Sequence, residues 1–140
     1  MIQLFCQYDA PWLMPFTKKE LLRALSAMVL AAQQTHIGYP VLALDVYLID
    51  DARIASINSS YLSCAGPTNV LSFPGDEDVP GVLFLSLDTF ARECHLYTQD
   101  APYYFLHLIA HGIAHLAHLD HGPFHDTIHE ACLMAVGYGA

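Results

Sequence analysis

Three histidines near the carboxyl end of the chain have the types and spacing of metal ligands. In the segment HGIAHLAHLDH, His111 and His115 are four residues apart, and His121 follows six residues later. On a helix, residues i and i+4 project from one face, so two imidazoles can bind one tetrahedral ion at ~2.0–2.1 Å. A turn before Gly122-Pro123 can bring His121 back to the same ion. The H-x3-H-x5-H spacing therefore predicts one zinc ion with a fourth position for water.

Other histidines around this segment leave alternatives open. His118 lies on the same helical face as the first two ligands and competes with the third, although three ligands along one rigid helix would span ~10 Å. His107 lies one helical turn before the first ligand. It either contacts a ligand histidine from outside the coordination sphere or lies on the helix surface. His125 and His129 form a further i, i+4 pair, followed by Glu130, and are a weaker candidate for a second metal site.

The residue after the first predicted ligand bears on the reaction. Zinc peptidases of the HExxH type carry a glutamate there as general base, whereas this chain has Gly112. The peptidase interpretation is therefore weakened. An ion at this site can still lower the pKa of a water molecule and polarise a carbonyl or phosphoryl oxygen. Which group moves the proton is left open by the sequence.

Charge and composition limit which classes of partner the chain can bind. The 140 residues carry a formal net charge of −9 with only five basic residues, and 54% of the chain is hydrophobic. Such a chain can build one sizeable core. An acidic surface repels phosphate backbones at long range, so composition gives nucleic-acid binding no general support and DNA none.

The sequence favours a cytoplasmic protein. No stretch approaches the roughly 18 uncharged apolar residues of a membrane-spanning helix, and the first ten residues lack the features of a signal peptide. The four cysteines show no CxxC pair and are expected to be buried thiols, with no disulfide framework.

Apolar periodicity and turn signals predict the element order β-α-β-α-β-β-α-α-α. Predicted strands span Ile2–Tyr8, Val41–Ile49 with Leu42 on its apolar face, Asn69–Phe73 and Val82–Leu87; predicted helices run from Thr17 to about Thr35, from Ala52 to Leu62, from Asp88 to about Leu96, from Pro102 to about Ala117 or His118, and from Phe124 to Val136. Thr17 with Glu20 forms a capping box, and Asp50 or Asp51 and then Asp88 are expected to cap the next two helices. The order predicts a single α/β (α+β) domain over residues 1–140, in which a small mixed sheet of about four strands packs with five or so helices.

Two motifs resemble one known family. HGIAHLAHLDH is similar to the HGxLHLxGYDH signature of the YbeY family, metal-dependent endoribonucleases of bacterial rRNA maturation. The stretch INSSYLSCAGPTNVLSFP, from Ile57 to Pro74, resembles the family's LNxxYRxxDxPTDVLSFP segment. Two motifs in the right order and at the right separation make the resemblance specific and extend it over almost the whole chain.

The resemblance implies both a site and an activity. His111, His115 and His121 would be the catalytic metal ligands, and the strand containing Thr68, Asn69 and Ser72 would line the cleft beside the metal. The implied activity is cleavage of single-stranded RNA, linked to trimming the 3′ end of small-subunit rRNA and to ribosome quality control. RNA and the ribosomal subunit would then be the partners.

One departure from the family pattern concerns phosphate binding. The arginine that follows the tyrosine in the family's segment is Leu62 here. A charge-assisted contact worth ~1.5–3 kcal/mol is thereby lost. Arg53 is a candidate replacement, as are Lys18, Lys19 and Arg23.

Three functions are therefore carried forward. The first is a zinc-dependent, single-strand-specific endoribonuclease acting on rRNA. The second is a metal-dependent hydrolase of a different substrate, such as a peptide or small ester. The third is a ribosome-assembly binding protein with a structural zinc and no catalysis; a closed fourth ligand position would favour it.

Overall fold

A computed structural model of the chain describes residues 1–117 and 121–139. The strands are β1 Ile2–Cys6, β2 Leu44–Ile49, β3 Val70–Phe73 and β4 Gly81–Ser86. The helices are α1 Lys18–Gln34, α2 Asp51–Leu62, α3 Leu87–Leu96, α4 Ala101–Leu116 and α5 Pro123–Ala135, with a short 3-10 helix at Pro11–Leu13. The predicted order of strands and α-helices and the predicted α/β class are confirmed.

Polar side chains fix where the first two helices begin. Thr17 and Glu20 form the predicted capping box, in which the Thr17 hydroxyl accepts from the Glu20 amide (3.1 Å) and the Thr17 amide donates to the Glu20 carboxylate (2.8 Å). Asp50 caps α2 by accepting from the Arg53 amide at 2.9 Å. Both caps satisfy amides that have no partner within the helix.

Helix α3 begins earlier than predicted. Its N-cap is Ser86, whose hydroxyl accepts from the Thr89 amide at 3.2 Å. The predicted cap, Asp88, is wrong because its carboxylate is held elsewhere: it accepts from the Tyr8 hydroxyl (2.8 Å) and the Asp51 amide (3.1 Å). Asp88 thus ties the loop after β1 to the start of α2.

The four strands form one mixed sheet in the order β1-β2-β4-β3. The first three in this order are parallel, and Leu4, Val46 and Leu83 are paired across them. Strand β3 runs antiparallel to β4 and forms one edge of the sheet. The predicted inward position of Leu42 is wrong: β2 begins only at Leu44, and the Leu42 side chain is 48% exposed.

The two faces of the sheet are covered by different helices. Helices α1, α4 and α5 build the larger core on one face, which includes Leu25, Leu83 and Ile109. Helix α2 covers part of the other face through Ile54, packed with Leu71. None of the helices in the described ranges is long and apolar enough to cross a membrane.

Asp51 links α2 to β4 and α3. One oxygen of its carboxylate accepts from the hydroxyls of Ser86 (2.7 Å) and Thr89 (2.6 Å), and the other accepts from the Arg92 guanidinium at 2.9 Å. Partial burial alone would raise the pKa of Asp51. The three donors outweigh burial and hold the pKa of this carboxyl below its usual value.

This network predicts a stability that depends on pH. Asp51→Asn should lower the free energy of unfolding by about 1–3 kcal/mol at neutral pH, since it removes hydrogen bonds to a charged acceptor. Because the folded-state pKa is lowered, the contribution of Asp51 is complete above the unfolded-state value of about 3.9 and is lost as the pH falls below it. Urea unfolding of both proteins between pH 7 and pH 3 measures this. A difference that stays constant over the range would contradict the assignment.

Candidate metal centre

Helix α4 lies close against strands β3 and β4, and Gly112 makes this approach feasible. A Cβ atom at Gly112 would lie 2.7 Å from Leu83 Cδ2 and 3.3 Å from Ser72 Oγ. The Ser72 hydroxyl donates to the Gly112 carbonyl oxygen at 3.3 Å. The backbone of α4 next to His111 is therefore held close to β3 and β4.

The structure brings the three predicted ligands together. The ring centroids of His111 and His115 are 4.6 Å apart, and the ring of His121 lies 5.2 Å from the first and 4.9 Å from the second. The Nε2 atoms of His111 and His115 are separated by 3.1 Å. Two nitrogens bound to one tetrahedral ion at ~2.0–2.1 Å would be ~3.3 Å apart, so the pair is already spaced for a shared ion.

A fourth histidine completes the group. His125, in the first turn of α5, has its ring centroid 4.5 Å from that of His115, 4.9 Å from that of His111 and 5.1 Å from that of His121. One ring nitrogen from each of the four lies within 4.8 Å of all the others. Sequence reasoning missed His125 because it grouped this residue with His129. Its spacing of four from His121 was the available signal.

The remaining histidines of α4 and α5 form a separate contact. The rings of His107 and His129 are 4.7 Å apart, whereas those of His125 and His129 are 6.4 Å apart. His107 is half-buried against its own helix and α5 rather than lying on a free surface. His118 and Asp120 lie outside the described residues.

Burial favours the neutral form of two histidines in this cluster. For His111, burial and then the neighbouring imidazoles of His115, His125 and His121 lower the pKa to about 4. Burial likewise lowers the pKa of His125, with His115 and His121 adding to the effect. A neutral imidazole offers the lone pair that a metal requires.

The donor set fits a zinc ion. All four candidate ligands are imidazoles on described residues, and imidazole is a ligand that tetrahedral zinc accepts. Neither ring nitrogen of His125 has a hydrogen-bond partner among the described residues, although the side chain is only 2% exposed. Buried polar atoms normally have a partner, and a metal ion would supply one.

The predicted cleft residues on β3 differ in their distance from the histidines. Ser72 touches the turn of α4 that carries His111. Asn69 lies toward the other end of the strand, where its amide donates to Glu93 at 3.0 Å, and the Tyr104 hydroxyl donates to the same carboxylate oxygen at 3.0 Å. Thr68 precedes it and is half-buried. Tyr104 and Gly112 are about 12 Å apart along the helix, so Asn69 lies about two turns from the cluster.

Comparison with known proteins places this architecture in a family. Residues 13–132 match the family described as Endoribonuclease YbeY. The Endoribonuclease YbeY of Lawsonia intracellularis is 42% identical over 112 residues, which cover 79% of this chain and 79% of that protein. The Endoribonuclease YbeY of Nitratidesulfovibrio vulgaris is 37% identical over an alignment of 148 positions, which covers 90% of this chain and 88% of that protein. The chain belongs to the YbeY family.

A solved structure shares the fold. The solution structure of a Thermotoga maritima protein superposes with a TM-score of 0.64 over 98% of this chain and 90% of its own length, at 21% sequence identity. The resemblance to the YbeY family drawn from two motifs is thus confirmed at the level of the family and the fold.

Two of the basic residues considered as replacements for the missing YbeY arginine, Arg53 and Lys18, lie toward the other edge of the sheet. The Arg53 guanidinium donates to the Gln7 carbonyl, just beyond the end of edge strand β1, and Lys18 lines a groove with the same Gln7. Helix α4, which carries His111 and His115, contacts β3, the opposite edge of the sheet, through Gly112. The structure therefore does not bring Arg53 to the histidines. Leu62 ends α2 with its side chain 48% exposed.

The close approach at Gly112 predicts a cost for any side chain there. Gly112→Ala should lower the free energy of unfolding by about 1–2 kcal/mol. A Cβ atom 2.7 Å from fully buried Leu83 puts the cost in the upper part of the usual range for overpacking, about 2–3 kcal/mol, and the helix propensity of alanine offsets about 1 kcal/mol of it. Urea unfolding measures the change. In a Leu83→Val background, which frees space beside Gly112, the loss should shrink. A Gly112→Ala protein as stable as wild type would show that α4 does not depend on this contact.

Proposed function

We propose that this chain is a zinc-dependent endoribonuclease that cleaves single-stranded RNA in the cytoplasm. Its proposed role is trimming of the 3′ end of small-subunit rRNA and ribosome quality control, with the ribosomal subunit as partner. The observation that carries the proposal is the cluster of four imidazoles in a chain of the YbeY family. Residues 1–140 would act as one metallohydrolase domain.

His111, His115 and His121 are the proposed catalytic ligands. Two come from one helical face, and the third comes from the connection between α4 and α5, so the ligands approach from two directions. Zinc held there would polarise a phosphoryl oxygen and lower the pKa of a water molecule. Burial favours the neutral form of His111. At pH 7 a metal ion can therefore bind this imidazole without displacing a proton from it.

Ser72 is the proposed contact for the RNA nearest the metal. Its hydroxyl hydrogen is donated to the Gly112 carbonyl, which leaves its oxygen lone pairs to accept. A ribose 2′-hydroxyl is a donor that RNA has and DNA lacks, which favours RNA as the substrate. Thr68 and Asn69, which directly precede β3, are proposed to contact nucleotides away from the scissile bond. Arg53 is assigned no part at the scissile phosphate.

The peptidase alternative meets a physical obstacle. In an HExxH site the glutamate would occupy the position of Gly112, and here that position faces Leu83 and Ser72 in the sheet. The group of described residues that could hold the ion contains histidines alone, without a carboxylate. The alternative of a ribosome-assembly protein with a structural zinc is favoured by one observation, the fourth imidazole of His125.

The direct test measures metal and cleavage together. Wild type should bind one equivalent of zinc by elemental analysis and cleave a labelled single-stranded RNA. His115→Ala removes one ligand imidazole, so it should bind zinc at least about tenfold more weakly, lose the ion on dialysis and lose cleavage. His95→Ala is the matched control, since His95 is an exposed histidine in the last turn of α3. Zinc without cleavage would favour the structural-zinc alternative, and a protein that binds no metal would contradict the proposal.

The charge distribution predicts a weak salt dependence of RNA binding. With Arg53 and Lys18 toward the opposite edge of the sheet, few phosphates are neutralised by side chains near the metal. For single strands, log K falls by ~0.7 per neutralised phosphate for each tenfold rise in salt, so the slope for two contacts or fewer should be shallower than about −1.5. Fluorescence anisotropy of a labelled RNA at several KCl concentrations measures the slope. A slope steeper than about −3 would show that several cations converge on the RNA.

A further inference from the structure

His125 is buried in a way that its position on the helix does not explain. The side chain is 2% exposed and neither Nδ1 nor Nε2 has a hydrogen-bond partner among the described residues. Among the described residues, the carboxylate that pairs with it is that of Asp126, 3.9 Å from Nδ1, which is beyond hydrogen-bond distance and itself 74% exposed. A buried imidazole with two unpartnered nitrogens is disfavoured unless something absent from the polypeptide binds it.

The four rings are arranged around a common centre. In tetrahedral coordination at ~2.0–2.1 Å, imidazole ring centroids lie ~3.2 Å from the ion and therefore ~5.2 Å from one another. The six centroid distances among His111, His115, His121 and His125 are 4.6, 5.2, 4.9, 4.9, 4.5 and 5.1 Å. They differ from one another by less than 1 Å, and none exceeds the tetrahedral value. His129 does not belong to this set, since its centroid is 6.4 Å from those of His111 and His125.

We propose that His125 is a fourth protein ligand, so that this chain binds zinc in a closed four-imidazole centre. The proposal rests on the proposed metal site formed by the other three histidines. Structural zinc sites are closed, whereas catalytic sites keep one position open. RNA cleavage by this chain would then require His125 to leave the ion.

The place of His125 in α5 suits a ligand that can leave. It lies in the first turn of the helix, close to the N-cap Gly122, and no side chain caps that end. A first turn without a side-chain cap retains amides that have no partner, so it opens more readily than a capped one. His111 and His115, in contrast, lie within α4, which is packed against the sheet.

Cobalt substitution tests the ligand assignment without relying on activity. The full-length protein is loaded with Co²⁺, and its visible ligand-field spectrum is recorded during titration with azide, an anion that binds only where a position is open. The wild-type spectrum should be that of a four-coordinate site and should not respond to azide. In His125→Ala the spectrum should change on adding azide, and exogenous imidazole should restore the wild-type spectrum by filling the vacated position.

Affinity and matched variants complete the test. Zinc should bind His125→Ala at least about tenfold more weakly than wild type, since loss of even an outer-sphere partner costs that much. His129→Ala, on the same helix but outside the cluster, should keep both the affinity and the resistance to azide. His125→Gln, of similar size, provides a folded substitute if the alanine variant does not fold, and circular dichroism checks both.

The outcomes separate the two proposals. A wild-type cobalt protein that responds to azide as His125→Ala does, with equal zinc affinity, would overturn the fourth ligand and leave the three-histidine site standing. A wild type that binds no cobalt or zinc would overturn both. A wild-type cobalt spectrum that resists azide while that of His125→Ala responds, with no RNA cleavage by either protein, would support the fourth ligand and remove the proposed ribonuclease activity.

Discussion

The close packing of helix α4 on strands β3 and β4 positions the two histidines that α4 contributes to the candidate centre. Gly112 allows this packing, because a Cβ atom there would overlap the buried side chain of Leu83. The same contact sets His111 and His115 on the part of α4 that faces α5 rather than the sheet. If the helix stood even 1 Å farther out, the hydrogen bond from Ser72 to the Gly112 carbonyl would break and the edge strand would lose its link to the site.

The histidine cluster connects folding to metal binding. Several imidazoles are withdrawn from water between α4 and α5, and burial lowers the pKa values of His107, His111, His125 and His129. The buried ring nitrogens of His125 have no hydrogen-bond partner in the part of the chain that the structure describes, and the like charges of protonated rings would repel one another. An ion bound only by the folded chain would remove this cost, so zinc would stabilise the packing of the two helices as well as prepare the chemistry.

Much of the architecture could be predicted from the sequence because local signals agree with the tertiary fold. The capping box at Thr17 and the apolar periodicity placed the helices within a few residues of their observed bounds. The errors arose where long-range contacts decide. Asp88 has the sequence features of a helix cap, but it binds Tyr8, which is eighty residues away, and Ser86 caps the helix.

The centre itself shows the same division between local and long-range information. Spacing along α4 identified His111 and His115, and the turn after α4 identified His121. The position of His125 in the cluster depends on how α5 packs against α4. Spacing within α5 predicted instead that His125 pairs with His129, but the two rings are 6.4 Å apart. The sequence likewise could not show that Arg53 donates to the Gln7 carbonyl toward the opposite edge of the sheet.

The missing arginine and the proposed fourth imidazole ligand both affect how an RNA phosphate reaches the metal. With Leu62 in place of the arginine and a net charge of −9, the chain attracts a phosphate backbone weakly over distance. Under the proposed function, RNA would then be held mainly by short-range contacts at the metal and at Ser72. A phosphate would bind the metal only after displacing a protein ligand if His125 closes the coordination sphere. RNA delivered to the chain by the proposed ribosomal partner would therefore be cleaved more readily than RNA free in solution.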